Sequence, residues 1–123
     1  MEKPHKKLDV WNLAMGLAVE VYRLTETFPK DQRYGLTDQI RRAAVSIPSN
    51  IAEGAARQTR KEFANFLHIA QGSVSEVDTQ LELARRLGFL SDAEWASFDA
   101  QMERIDKMLS GLIRRQKTGG GRA

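Results

Sequence analysis

The sequence predicts an all-α protein, an antiparallel up-down-up-down four-helix bundle whose second helix is kinked at Pro48. Three observations predict it. Four segments place apolar residues at alternating steps of three and four, the spacing of one helix face. Two capping boxes, Thr59-x-x-Glu62 and Ser91-x-x-Glu94, mark helix starts. The breaks between segments are short, which sets neighbouring helices antiparallel, and no stretch alternates with the period of two that a strand requires. Residues 1–8 read as a flexible basic N-terminus, 9–117 as the bundle domain, and 118–123 as a disordered tail with three consecutive glycines.

The first helix starts near Asp9, an N-cap or first-turn acid. It carries Val10, Ala14, Leu17, Val21 and Leu24 in step, with Phe28 next. Pro29 biases Phe28 away from helix. Phe28 to Gly35 therefore reads as a loop, pinned by Phe28 and Tyr34 on the bundle end.

The second helix, from Leu36 or Thr37 to Arg57, has two apolar stripes. One holds Leu36, Ile40, Ala43, Ala44, Ile47, Ile51 and Ala55; the other holds Val45, Ala52 and Ala56. A surface helix needs one apolar face, so two imply burial on two sides. Pro48 lies inside this helix, where it removes a backbone donor and crowds the Ala44 carbonyl, so a kink or local break is expected.

Thr59 caps the third helix, whose seam runs Phe63, Leu67, Ala70, Val74, Val77, Leu81 and Ala84 to a C-terminal Gly88. Gly72 and Ser73 in its middle suggest a close helix approach. Ser91 caps the fourth helix, flanked by Leu90 and Trp95 at the positions of a hydrophobic staple. Its seam is Trp95, Phe98, Met102, Ile105, Leu109 and Leu112.

A chain of 123 residues suits one domain. It has no cysteine, which excludes disulfides, thiolate metal sites and thiol nucleophiles. No apolar run approaches the ~18 residues of a membrane span, and no apolar signal core follows the basic N-terminus. A cytoplasmic protein with no membrane partner is expected. The net charge of +3 is unevenly placed: residues 1–7 carry +2, residues 114–123 carry +4, and the body between carries −3.

The inventory points away from an enzyme and from a bound cofactor or metal. A di-iron bundle needs Glu-x-x-His on two helices, but Asn65 stands three before His68, which reads as a half-buried bundle residue. The triple glycine follows no strand and is no phosphate loop. No base stands within helical reach of Ser46, Ser49, Ser73 or Ser75.

Candidate functional positions are Arg41 and Arg42 in the second helix and Arg57, Arg60 and Lys61 at the junction with the third. They could contact a phosphate backbone, more so if an oligomer repeats them about an axis. They could equally pair internally, with Asp38 or Glu53 for example. Arg85 and Arg86 read as ordinary surface charge. Val45, Pro48, Ala52 and Ala56 are candidates for a subunit interface. Ser46, Asn50 and Glu53, at steps of four and three, are candidates for a polar network that fixes register.

The stretch QIRRAAVSIPSNIAEG, Gln39 to Gly54, resembles the signature of the 23S rRNA-intervening-sequence proteins, the S23 family. Leu8 to Thr25, Phe28 to Leu36 and Glu62 to Leu90 match in order, so the resemblance spans about residues 8–115. It implies a four-helix bundle assembled as a ring-shaped homopentamer. It also implies similarity to the accessory variability protein of diversity-generating retroelements, a basic pentamer that binds nucleic acid and a reverse transcriptase. This chain departs from that relative in its net acidic body and in Gln71, where a basic residue is expected. The expected function is a non-enzymatic homo-oligomer binding RNA or DNA. The alternatives are a protein-interaction adaptor, using the Phe28 to Tyr34 loop and the outer first and fourth helices, or a reverse transcriptase accessory subunit.

Overall fold

The computed structural model describes residues 1–118. They form four α-helices: α1 (Asp9–Thr25), α2 (Leu36–Ala55), α3 (Arg60–Arg86) and α4 (Asp92–Thr118). Short 3-10 turns lie at Pro4–Lys7 and Lys30–Gln32. Among the described residues there is no strand. In the up-down order α2 packs on α1 and α3, α4 packs on α3, and α4 meets α1 to close the bundle, with the α2–α3 contact the most extensive.

The seams read from the sequence form the core. Leu17 and Val21 of α1, Ile40, Ile47 and Ile51 of α2, Leu67, Val77 and Leu81 of α3, and Ile105 and Leu109 of α4 are its largest fully buried side chains. The Ser91 capping box closes in both directions, and Thr59 caps α3 through its hydroxyl. The Glu62 N–H donates to Thr59 Oγ1 at 3.1 Å, and the Thr59 hydroxyl donates to the Glu62 carboxylate at 2.9 Å. Ser91 and Glu94 exchange both bonds, Glu94 N–H to Ser91 Oγ at 3.0 Å and Ser91 N–H to Glu94 Oε1 at 2.8 Å. Gly88 has φ +81°, the left-handed conformation of a C′ residue.

Several expectations need correction. α2 continues as one helix through the buried Pro48, so of the kink or local break expected there no break is present. Of the two roles read for Asp9, the first-turn acid is the one present, and Leu8 is the N-cap. Phe28 is buried, its ring 5.4 Å from that of Phe89, but Tyr34 is 89% exposed and pins nothing. His68 is exposed, since its position beside the seam turns it outward. The N-terminal segment, read as flexible, contains a 3-10 turn that packs on α2 and α1, with the His5 ring edge-on to Trp11 at 4.9 Å. Of the tail read as disordered, Thr118 ends α4 and residues 119–123 lie outside the described residues.

Of the pair expected at a close helix approach, Ser73 is buried against α2 but Gly72 is not, and a closer approach lies at Gly54. A Cβ on Gly72 would meet nothing within 4 Å, whereas one on Gly54 would stand 2.8 Å from Phe66 Cβ and 2.9 Å from Phe63 Cδ1. Phe66 Cβ is fixed to the α3 backbone and cannot swing aside. At Gly54, α2 therefore meets α3 almost backbone to backbone. Gly54→Ala is expected to lower stability by about 1–3 kcal/mol through overpacking. Gly72→Ala should raise it by roughly 0.5–1 kcal/mol through helix propensity. Urea denaturation of the two variants checks this opposition in sign.

Candidate subunit and nucleic-acid interfaces

Successive residues of a helix are turned by roughly 100°, so Arg41 and Arg42 have different surroundings. Arg41 reaches across to α1. Its Nε donates to Thr25 Oγ1 at 2.8 Å, its Nη2 donates to the Tyr22 carbonyl at 3.3 Å, and its guanidinium lies 4.5 Å from the Tyr22 ring centroid. Thr25 is buried and donates its own hydroxyl proton to the Val21 carbonyl at 2.8 Å. The last turn of a helix is the negative end of its dipole, and the Tyr22 carbonyl there also accepts from the Glu26 N–H at 3.3 Å. Arg41 adds a cation at that end and ties α2 to α1. Arg42 points to solvent and pairs with Asp38 at 3.1 Å within its own helix.

Arg57 stands at the other end of α2, sixteen residues from Arg41 and hence roughly 24 Å along the axis. Its Nη2 donates to Glu53 Oε2 at 2.8 Å, and its guanidinium covers the Phe66 ring at 4.7 Å. Arg60 and Lys61 follow on the first turn of α3, both exposed. The five candidate cations are therefore two groups at opposite ends of the bundle, not one patch.

Val45, Pro48 and Ala52 line an apolar groove of about 550 Å³ between α1 and α2. The facing wall is Trp11, Met15, Val19 and Tyr22 of α1, and Met15, Val19, Tyr22 and Val45 are each more than 40% exposed. Ala56 lies past the end of α2 and does not line the groove. The second stripe is thus split, its first three members beside α1 and its last at the turn to α3.

The polar network is real in part. Asn50 Nδ2 donates to the Ser46 carbonyl at 2.8 Å and to Ser46 Oγ at 2.9 Å, and Ser46 Oγ lies 2.8 Å from Ser73 Oγ. Ser73 is buried on α3, so this chain of hydrogen bonds joins α2 to α3. Glu53 takes no part in it, because its carboxylate turns outward to Arg57. Ser73 is the member that sequence reasoning assigned only to a close approach.

Two further residues, Arg85 and Gln71, are structural ties that the sequence reading did not assign. Arg85 is half-buried: its Nε donates to Asp92 Oδ1 at 2.9 Å, Glu82 lies at 3.5 Å, and its guanidinium covers the Trp95 ring at 4.2 Å. The hydrogen bond to Asp92 raises its pKa. It clamps the α3–α4 turn and is not ordinary surface charge. Gln71 donates from Nε2 to Ser110 Oγ at 2.8 Å, which joins α3 to α4. Asp78 has its pKa raised above 3.8 by burial, then by the nearby carboxylates of Asp99 and Glu82. No group of three or more His, Cys, Asp or Glu side chains suited to a metal ion occurs among the described residues. No described helix is long and apolar enough to cross a membrane.

The family model described as 23S rRNA-intervening sequence protein matches residues 6–111, which contain all of α1 to α3 and most of α4. The chain belongs to this family. Its fold is similar to the crystal structure of a protein of unknown function from the S23 ribosomal protein family of Bacteroides thetaiotaomicron. The two are 28% identical, with a TM-score of 0.79 over 85% of this chain and 95% of that one. No curated protein matches the chain. Within this family member, Gly54 closes the stretch that carried the resemblance, and its close contact with α3 gives that glycine a physical reason.

Arg41→Ala is expected to cost about 1–2 kcal/mol through the lost hydrogen bonds to α1, while Arg42→Ala should change stability by no more than about 0.5 kcal/mol. Thermal melts of both variants separate the two roles. For Asp78, the raised pKa disfavours the folded state as pH climbs above 3.8 and leaves it unaffected below. Asp78→Asn should therefore raise the melting temperature near neutral pH, with the gain fading in acid as the wild-type carboxyl protonates.

Proposed function

We propose that this chain is a non-enzymatic, cytoplasmic, homo-oligomeric bundle protein that binds nucleic acid, with RNA as the favoured ligand. The observation that carries the assembly is the apolar groove between α1 and α2. Its exposed Met15, Val19, Tyr22 and Val45 are a contiguous surface of the kind that marks an interaction site. Further exposed apolar side chains lie apart from the groove: Ile69 and Leu83 on α3 and Leu87 at its C-cap. Two different surfaces suit a heterologous contact, and heterologous contacts close into rings when the rotation permits. The pentamer implied by the family resemblance is one such ring.

The nucleic-acid reading rests on exposed cations: Arg60 and Lys61 are better placed than Arg41, whose guanidinium is engaged by α1, and Arg57 is exposed while paired with Glu53. A ring would repeat them about its axis, and phosphate contacts gain from each added cation. The groove also supports a second reading, a protein-interaction adaptor such as an accessory subunit of a reverse transcriptase. Pull-down that survives nuclease treatment favours that reading.

Light scattering after size exclusion tests the assembly. A mass several times 13.9 kDa is expected for the wild type. Val19→Glu with Val45→Glu should return a folded monomer, since buried like charges in an interface are strongly disfavoured. A wild type of 13.9 kDa at micromolar concentration removes the oligomer.

A further inference from the structure

The basic residues that appear as separate tails and clusters along the chain converge in the fold. In an up-down-up-down bundle, the start of α1, the α2–α3 turn and the end of α4 all lie at one end. The N-terminal segment brings Lys3, Lys6 and Lys7. The turn brings Arg57, Arg60 and Lys61. The last turns of α4 bring Arg114, Arg115 and Lys117. All nine are exposed. The acids of this end are Glu2, Asp9, Glu53 and Glu62, which leaves a net charge of +5. Lys7, Lys107 and Arg115 share one cleft between α1 and α4, which places two of the three groups side by side.

The opposite end is nearly neutral. There Arg23, Lys30, Arg33, Arg41, Arg42, Arg85 and Arg86 stand against Glu26, Asp31, Asp38, Glu82, Asp92 and Glu94, a net charge of +1, with Arg42, Arg85 and Arg86 in ion pairs. Helix dipoles do not offset the contrast, because each end of the bundle holds two helix N-termini and two C-termini. Side-chain charge alone sets the polarity.

We infer that this single basic end is the surface that docks the nucleic-acid backbone, a more specific statement that rests on the nucleic-acid reading above. Packed helix axes lie about 8–10 Å apart, so the end face is roughly 20 Å across. One strand of a duplex presents a phosphate about every 3.4 Å along its axis, so roughly six phosphates span that face. The contact is to phosphate, independent of sequence, and includes the N-terminal lysines and the end of α4.

The test compares two variants that remove equal charge. One carries Lys6→Gln, Lys7→Gln, Lys61→Gln and Arg114→Gln at the basic end. The other carries Lys30→Gln, Arg33→Gln, Arg42→Gln and Arg86→Gln at the opposite end. Each is checked for folding by its melting curve and titrated with a short labelled single-stranded RNA across a salt series. The basic-end variant is expected to bind about tenfold or more weakly, with a log–log salt slope smaller by about 3. The opposite-end variant should bind within about twofold of wild type, because its charges are far from the contact. Equal weakening of both variants, or weakening only of the second, overturns the basic end as the docking surface while leaving RNA binding intact. Failure of the wild type to bind RNA, with or without binding to phosphatidylserine vesicles, overturns the nucleic-acid reading and this inference with it.

Discussion

Everything in this fold that concerns function follows from how closely α2 meets α3. At Gly54 there is no space for a methyl group between the α2 backbone and Phe63 and Phe66. That contact lets α2 lie deep in the bundle, touching α1 on one side and α3 on the other. One to two turns earlier in α2, the Asn50–Ser46–Ser73 hydrogen bonds fix the register of the same pair. With α2 so placed, its remaining surface is the strip holding Val45, Pro48 and Ala52, which becomes one wall of the α1–α2 groove. The chain leaves α2 two residues later and enters α3 almost at once, so Arg57, Arg60 and Lys61 are held at one end of the bundle.

The charged residues divide by the same geometry. Arg41 and Arg85 are used to join helices: each donates hydrogen bonds across a helix pair and covers an aromatic ring. Such an arginine holds the fold through both packing and charge. The cations at the other end lie at helix starts, a turn and a helix end, and their side chains remain exposed. A protein with a net acidic body can thus present a basic face, because topology gathers charges that are far apart in the chain.

Much of the fold was legible in the sequence. Steps of three and four located each seam, and the two capping boxes located the starts of α3 and α4, because both signals are local and set by helix geometry. What depended on a neighbouring helix was not. Gly54 and Gly72 are alike as letters in a helix, and only the partner helix decides which one is crowded. Arg41 and Arg42 are adjacent, yet their roles separate because one faces the end of α1 and the other faces water. Spacing put Glu53 with Ser46 and Asn50, but Arg57, one turn on, drew its carboxylate outward. The convergence of both chain ends with the α2–α3 turn follows from the predicted topology, though the charges had been weighed separately along the chain.

The central claim is that one end of the bundle meets the nucleic-acid backbone. Ultraviolet cross-linking of the wild-type protein to RNA, followed by mass spectrometry of the peptides, tests it most directly. The account predicts cross-links in residues 1–7, 57–61 and 107–117. Cross-links confined to residues 30–42 and 85–94, at the opposite end, would contradict it.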